Sequence, residues 1–191
     1  MNINYIKEIN ESRVYDVAEK TPVSLLNKIS AKYNNTIYLK REDLQPIFSF
    51  KCRGAYNKIS SLRSNDTDKG IIAASAGNHA QGVALSASKL RIDAMIVMPT
   101  TTPSIKIESV KKFGVKVKLY GDSFDEAYEY ALEVSKNEGR VFVHPFDDPL
   151  VIAGQGTVAK EILEQSEDVP DIFFIPVGGG GLISGMSMYL K

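Results

Sequence analysis

Three short segments carry side chains whose types and spacing could do chemistry. The first is Ser49-Phe50-Lys51-Cys52-Arg53-Gly54-Ala55, in which Lys51 falls in the first turn of an expected helix. A helix macrodipole disfavours a cation there by about 0.3–1 kcal/mol. That field, with partial desolvation, lowers an amine pKa and leaves more of it neutral, as Schiff-base chemistry requires. Taken alone, Lys51 reads more readily as a solvated surface lysine, Arg53 as only an ion-pair or packing residue, and Cys52 most simply as a buried free thiol. The second segment, Ser75-Ala76-Gly77-Asn78-His79-Ala80-Gln81-Gly82, sits at a strand-to-helix turn. Free N–H groups at a helix start suit a carboxylate or phosphate, and ligands of open α/β sheets bind at the carboxyl ends of strands. Ser75 and Asn78 serve equally well as N-caps, and His79, with no carboxylate partner in view, is as much structural as catalytic. The third is Gly178-Gly179-Gly180-Gly181, between an apolar run and a helix. Each glycine costs roughly 0.5–1 kcal/mol in ordering relative to alanine, so four in succession need a reason. A flexible linker is polar on both sides and this run is not. Successive N–H groups forming a nest for a phosphate supply the reason.

A fourth match is set aside. Gly154-Gln155-Gly156-Thr157-Val158-Ala159 fits the dinucleotide pattern G-x-G-x-x-A after the apolar Leu150-Val151-Ile152-Ala153. That fingerprint needs an acidic residue about 20 positions on to hold a ribose. The chain runs there into Pro176, Val177 and the glycines, which argues against a nicotinamide dinucleotide and against a nucleotide-binding module.

The elements that position these segments alternate. A strand is expected at 37–39, a helix from about Phe50 to Leu62, and a polar turn over 64–70 that marks a domain boundary. Strands follow at 71–74, 94–98, 115–119 and 141–143, with a buried one at 172–177. Between them run helices from Gly77 to Leu90 (Ala80, Val83, Ala84 and Ala87 inward), from Pro103 with Thr102 as N-cap, from the capping box Ser123-Phe124-Asp125-Glu126 to Gly139, and from Gly154 to Glu164. Apolar strands between helices mean a parallel sheet covered on both faces, and the class is α/β. The last helix, from about Leu182, runs barely two turns before Lys191, which reads as part of a longer protein.

Composition excludes several functions. The 191 residues include 23 basic and 23 acidic side chains, a formal net charge of zero that argues against a nucleic-acid or membrane-surface binder. One cysteine allows no internal disulfide, and with two histidines it cannot supply a structural zinc site, so no metal is expected. The N-terminus lacks an apolar signal region and no apolar run approaches a membrane span, so a cytoplasmic, soluble protein is expected.

Together the segments resemble the pyridoxal-phosphate enzymes of the tryptophan-synthase-β fold, and within them the threonine dehydratases. The likeness runs along nearly the whole chain, through Ser12-Arg13-Val14-Tyr15, Lys40-Arg41-Glu42-Asp43-Leu44-Gln45-Pro46, Ser49-Phe50-Lys51, Ser75 to Gly82, Val151 to Thr157 and Val177 to Leu182. Arg41-Glu42-Asp43 with Gln45-Pro46 is more similar to the biosynthetic members, which serve isoleucine synthesis, than to the catabolic ones. The resemblance implies two three-layer parallel-sheet domains. Residues 1–69 and 148–191 would form part of the large cofactor-binding domain, incomplete here, and 70–147 the small substrate-side domain. In the family, a hydroxyl residue that contacts the pyridine nitrogen comes after the point where this sequence stops.

Carried over by residue, the resemblance implies pyridoxal 5′-phosphate held covalently by Lys51, with Phe50 against its ring and Asn78 bonded to the ring's 3′-oxygen. Gly178, Gly179, Gly180 and Gly181 with the Leu182 backbone would bind the phosphate. Ser75 and the backbone of Gly77, Asn78 and His79 would clamp the carboxylate of a small amino-acid substrate. The implied activity is dehydration and deamination of L-threonine to 2-oxobutanoate and ammonia in a homo-oligomer, with Lys51 as general base at Cα. Serine racemases look similar but carry a serine as second base where this chain has Ala76. β-Replacement synthases of the fold carry threonine and glycine in place of His79-Ala80. A related L-serine dehydratase or racemase, and a catalytically incomplete fragment, are the alternatives.

Overall fold

Ile71-Ile72-Ala73-Ala74 is buried along its whole length, which only a strand covered on both faces permits. The computed structural model, which describes residues 3–191, builds a four-stranded parallel sheet around it. In chain order the elements are α1 (Tyr5–Asn10), β1 (Val23–Leu25), α2 (Asn27–Tyr33), β2 (Tyr38–Lys40), α3 (Lys51–Ser60), α4 (Ser64–Thr67), β3 (Ile71–Ala74), α5 (Asn78–Leu90), β4 (Ala94–Met98), α6 (Ser104–Lys111), β5 (Lys116–Leu119), α7 (Phe124–Glu138), β6 (Val141–Phe142), α8 (Pro149–Gln165) and α9 (Gly181–Leu190). The sheet order is β5-β4-β3-β6, with every pair parallel.

The period of two along β3 divides the core. Ile71 and Ala73 face Ala80, Val83, Ala84 and Ala87 of α5, together with Ala55 and Ile59 of α3. Ile72 and Ala74 face Ala127, Ala131 and Val134 of α7. These are the inward positions that the helical spacing gives, and they make three layers. The capping box of α7 forms as expected: Ser123 Oγ accepts from Glu126 N at 3.2 Å and the Glu126 carboxylate accepts from Ser123 N at 3.3 Å. At the other end Gly139 takes a φ of +73°, which a side chain would strain.

Four expectations are corrected. The helix set at Gly154 begins at Pro149, because Asp148 caps it by accepting from Leu150 N at 2.8 Å and proline suits the first position. The apolar run 150–153 is therefore helical, and Gly154 and Gly156 lie inside α8 rather than at a strand-to-helix turn. They serve close packing instead: a Cβ on Gly154 would sit 2.7 Å from Gly54 Cα, and one on Gly156 2.9 Å from the Gly185 carbonyl. Within the turn expected at 64–70, residues 64–67 form one helical turn, α4, in which the Asp66 carboxylate accepts from Arg63 N. Thr102 is not a cap; Pro103 holds that position and the Thr102 hydroxyl is buried without a partner.

The largest departure is residues 172–177, which form no strand. Phe173 and Ile175 pack on α8 and α9, while Ile172 and Phe174 face outward, Phe174 94% exposed. The segment has the alternation of a strand, but no strand edge among the described residues pairs with it. Missed altogether is β1, which pairs antiparallel with β2.

Candidate active site

Lys51 opens α3 as expected, and its amine is half-buried. Nζ donates to the Pro145 carbonyl at 2.7 Å and lies 5.6 Å from the centre of the Phe50 ring. Burial lowers its pKa below the ordinary lysine value, and no carboxylate opposes the shift. Desolvation is thus the cause that acts on the amine. Helix α5 crosses against this turn at Gly82, where a Cβ would stand 2.7 Å from the Lys51 carbonyl oxygen.

The second segment continues β3 at its carboxyl end. Ser75 N donates to the Val97 carbonyl at 3.1 Å, and Ser75 Oγ accepts from Gly77 N at 3.2 Å. The hydroxyl therefore shapes the turn ahead of α5 instead of capping the helix, whose N-cap is Gly77. The first-turn N–H groups of α5 have no intrahelical acceptor, by the geometry of any helix start. Asn78 is exposed at the first helical position and Gly77 borders open space. His79 is buried, and its Nε2–H donates to the Val143 carbonyl at 3.0 Å. Burial pushes its pKa down to about 4, so it stays neutral and structural.

The glycine turn opens α9. Gly180 adopts φ +91°, and a Cβ on Gly178 or Gly180 would meet nothing within 4 Å. Gly179 is the opposite case, since its Cβ would land on the Phe146 ring, and Gly181 lies against the Phe146 backbone. Leu182 and Phe50 pack on one apolar cluster with Val158, Ala159, Ile162 and Met186.

What joins these pieces is a segment that residue type did not single out, His144-Pro145-Phe146-Asp147-Asp148, which leaves β6 at the carboxyl end of the sheet. Pro145 receives Lys51, Phe146 touches Gly179 and Gly181, and Val143 anchors His79. The signal for it was positional: a strand followed by proline, at the sheet edge where ligands of α/β proteins collect.

Arg53 points away from this site into a buried knot of ions. Its guanidinium donates to Glu42 at 2.8 Å and to Glu161 at 2.6 Å, and Lys40 Nζ donates to Glu161 at 2.6 Å. Burial by itself would raise the Glu161 carboxyl, and Arg53 with Lys40 outweighs it and holds that carboxyl below its ordinary value. The knot joins the Lys40-to-Pro46 segment, α3 and α8, so that stretch of sequence supports the site and does not line it. Cys52 is buried, with its thiol pushed up to about 12 by burial.

Comparison with known proteins covers nearly the whole chain. The family model of the pyridoxal-phosphate dependent enzymes matches residues 14–191. A biosynthetic threonine dehydratase of Solanum lycopersicum is 56% identical over 187 residues, 98% of this chain and 31% of its own. A biosynthetic L-threonine dehydratase of Burkholderia multivorans is 50% identical over 191 residues, 98% of this chain and 38% of its own. The solved structure of the processed threonine deaminase isoform 2 of Solanum lycopersicum superposes with a TM-score of 0.95 at 53% identity, covering 98% of this chain and 51% of that one. The chain spans about a third of the length of these curated relatives. With a half-buried lysine and a glycine turn meeting at one sheet edge, and a family model matched across nearly its whole length, this chain belongs to the pyridoxal-phosphate dependent enzymes.

Proposed function

We propose that the chain carries the lysine side of the active site of a threonine ammonia-lyase, which converts L-threonine to 2-oxobutanoate and ammonia. The observation that carries this is Lys51, an amine with its pKa lowered by burial and the Pro145 carbonyl as its single hydrogen-bond partner. The donor set fits pyridoxal phosphate: an amine without a carboxylate partner, and a turn in which Gly178 and Gly180 leave open space beside the N–H groups that start α9. Lys51 would hold the cofactor, Phe50 would border its ring, Asn78 would bond its 3′-oxygen, and Gly178 to Gly181 with the Leu182 backbone would take its phosphate. When bound, the cofactor supplies an electron sink for charge developed at the substrate Cα.

The chain's own residues orient and move protons. Ser75 and the N–H groups of Gly77, Asn78 and His79 would bind the substrate carboxylate and fix which Cα bond faces Lys51. The Lys51 amine, neutral more readily because it is desolvated, would take the Cα proton. Ala76 offers no proton-transfer group beside that clamp, which favours elimination over racemisation. Residues 1–69 and 148–191 would form the cofactor side and 70–147 the substrate side. The word biosynthetic in the relatives' names supports a place in isoleucine synthesis. A cytoplasmic homo-oligomer completes the reading; among the described residues no helix is long and apolar enough to cross a membrane.

The test is an absorption spectrum with added pyridoxal phosphate, then borohydride reduction and peptide mass mapping. A yellow protein that bleaches on reduction and carries the cofactor mass on Lys51 is expected. A mass on other lysines, with Lys51 unmodified, would overturn the assignment.

A further inference from the structure

One side chain builds the segment that stands between Lys51 and the glycine turn. His144 Nδ1 accepts from Asp147 N at 2.7 Å and from Phe146 N at 3.3 Å. Two donors converging on one ring nitrogen require a lone pair there, so the ring is neutral with its proton on Nε2. The turn closed in this way aims the Pro145 carbonyl at Lys51 Nζ, 2.7 Å away, and sets the Phe146 ring against Gly179. Phe146 stands edge-on to the His144 ring at 4.7 Å, with Phe142 of β6 and Tyr128 of α7 beyond it at 6.2 and 6.3 Å. The charged groups facing the ring are Asp147 and Asp148, which favour its cation, and Lys51, which opposes it.

We propose that His144 is a positioning residue for Lys51: its Nδ1 acceptor shapes the turn whose Pro145 carbonyl holds the free amine and whose Phe146 seats the glycine turn. The proposal rests on the reading of Lys51 as the reactive amine. Packing is not the reason for the histidine, since leucine would fill the space and leave both N–H groups without their acceptor. Asparagine keeps an acceptor at the right reach, because its side-chain oxygen closes the same kind of turn on N–H groups two and three residues on. Net burial lowers the His144 pKa and keeps the accepting form present at neutral pH.

Competitive acetylation of the purified chain, without cofactor, tests it. Lys51 labelling is read by peptide mass spectrometry against the exposed Lys32 and Lys106. His144→Leu should raise the relative labelling of Lys51 about tenfold, as an amine freed of the carbonyl that holds it becomes accessible to the reagent. His144→Asn should stay within about twofold of the unsubstituted chain. Unchanged labelling in His144→Leu, or an equal rise in both variants, overturns the proposal. A second measurement needs no substitution: the spectrum of 15N-histidine at neutral pH should show Nδ1 without a proton, and a proton on Nδ1 overturns the role even where His144→Leu fails to fold. Failure of the cofactor to attach at Lys51 is read on a separate signal and would overturn the functional reading while leaving the labelling result intact.

Discussion

The sheet region, residues 71–143, and the helices and hairpin that flank it are held by different physics. In the sheet region the buried side chains are almost all apolar, two clusters divided by β3, and its charges sit at the rim, where Arg140 and Lys116 meet Asp93. The flanking region instead buries Arg53, Glu161, Lys40 and most of Glu42, and its helices cross at glycines. It also leaves an apolar ribbon, 172–177, open on one side. A parallel sheet with helices on both faces satisfies its backbone through the strand ladders and buries its side chains under apolar helix faces. A region that joins segments distant in sequence needs directional contacts to fix their register. Lys51 stands on the boundary, its helix braced by the ion knot and its amine held by the sheet's edge.

The strongest break of that comparison is Arg53→Met. It leaves the part-buried Glu42 without its guanidinium partner and Glu161 with Lys40 alone, and should cost about 3–5 kcal/mol of unfolding free energy in urea titration. A loss below about 1 kcal/mol would show that water already reaches the knot. Acid should act on the other region through His79. Its pKa is 6.5 unfolded and about 4 when buried. The unfolded chain therefore binds the proton first, so the contribution is complete above pH 6.5 and is lost as pH falls toward 4. The loss amounts to roughly 3 kcal/mol, and His79→Gln should flatten that limb of the stability–pH curve.

Two smaller effects sharpen the contrast. Arg140→Met removes ion pairs whose carboxylates are half-exposed, and should cost about 1 kcal/mol or less, far below its buried counterpart. Phe174→Ser should shift the urea midpoint by less than about 0.5 kcal/mol equivalent, since its ring is 94% exposed. A large loss there would mean that the ribbon is covered in solution.

Local signals carried far into this fold. The inward alanines of α5, the capping box at Ser123 and the strand at Ala94–Met98 follow from periodicity and side-chain chemistry within a few residues, so tertiary contacts had only to agree with them. The ribbon at 172–177 shows the limit. Its composition is that of a buried strand, but a strand also needs an edge to pair with, and no local pattern reports whether one is present. The run at 150–153 was ambiguous in the same way until the Asp148-Pro149 cap made it helix.

The site divides along the same line. By itself the sequence determined which residues could react: a lysine at a helix start, a Ser-Ala-Gly-Asn turn after a strand, and a glycine run before a helix. Each is legible because its chemistry is local. Only the tertiary structure decided that Arg53 belongs to a knot with Glu42 and Glu161, that Gly154 and Gly156 serve helix packing, and that the turn closed on His144 lies between Lys51 and the glycine run. Those partners lie as much as 108 residues apart along the chain, and desolvation and hydrogen-bond geometry between them exist only once the chain has folded.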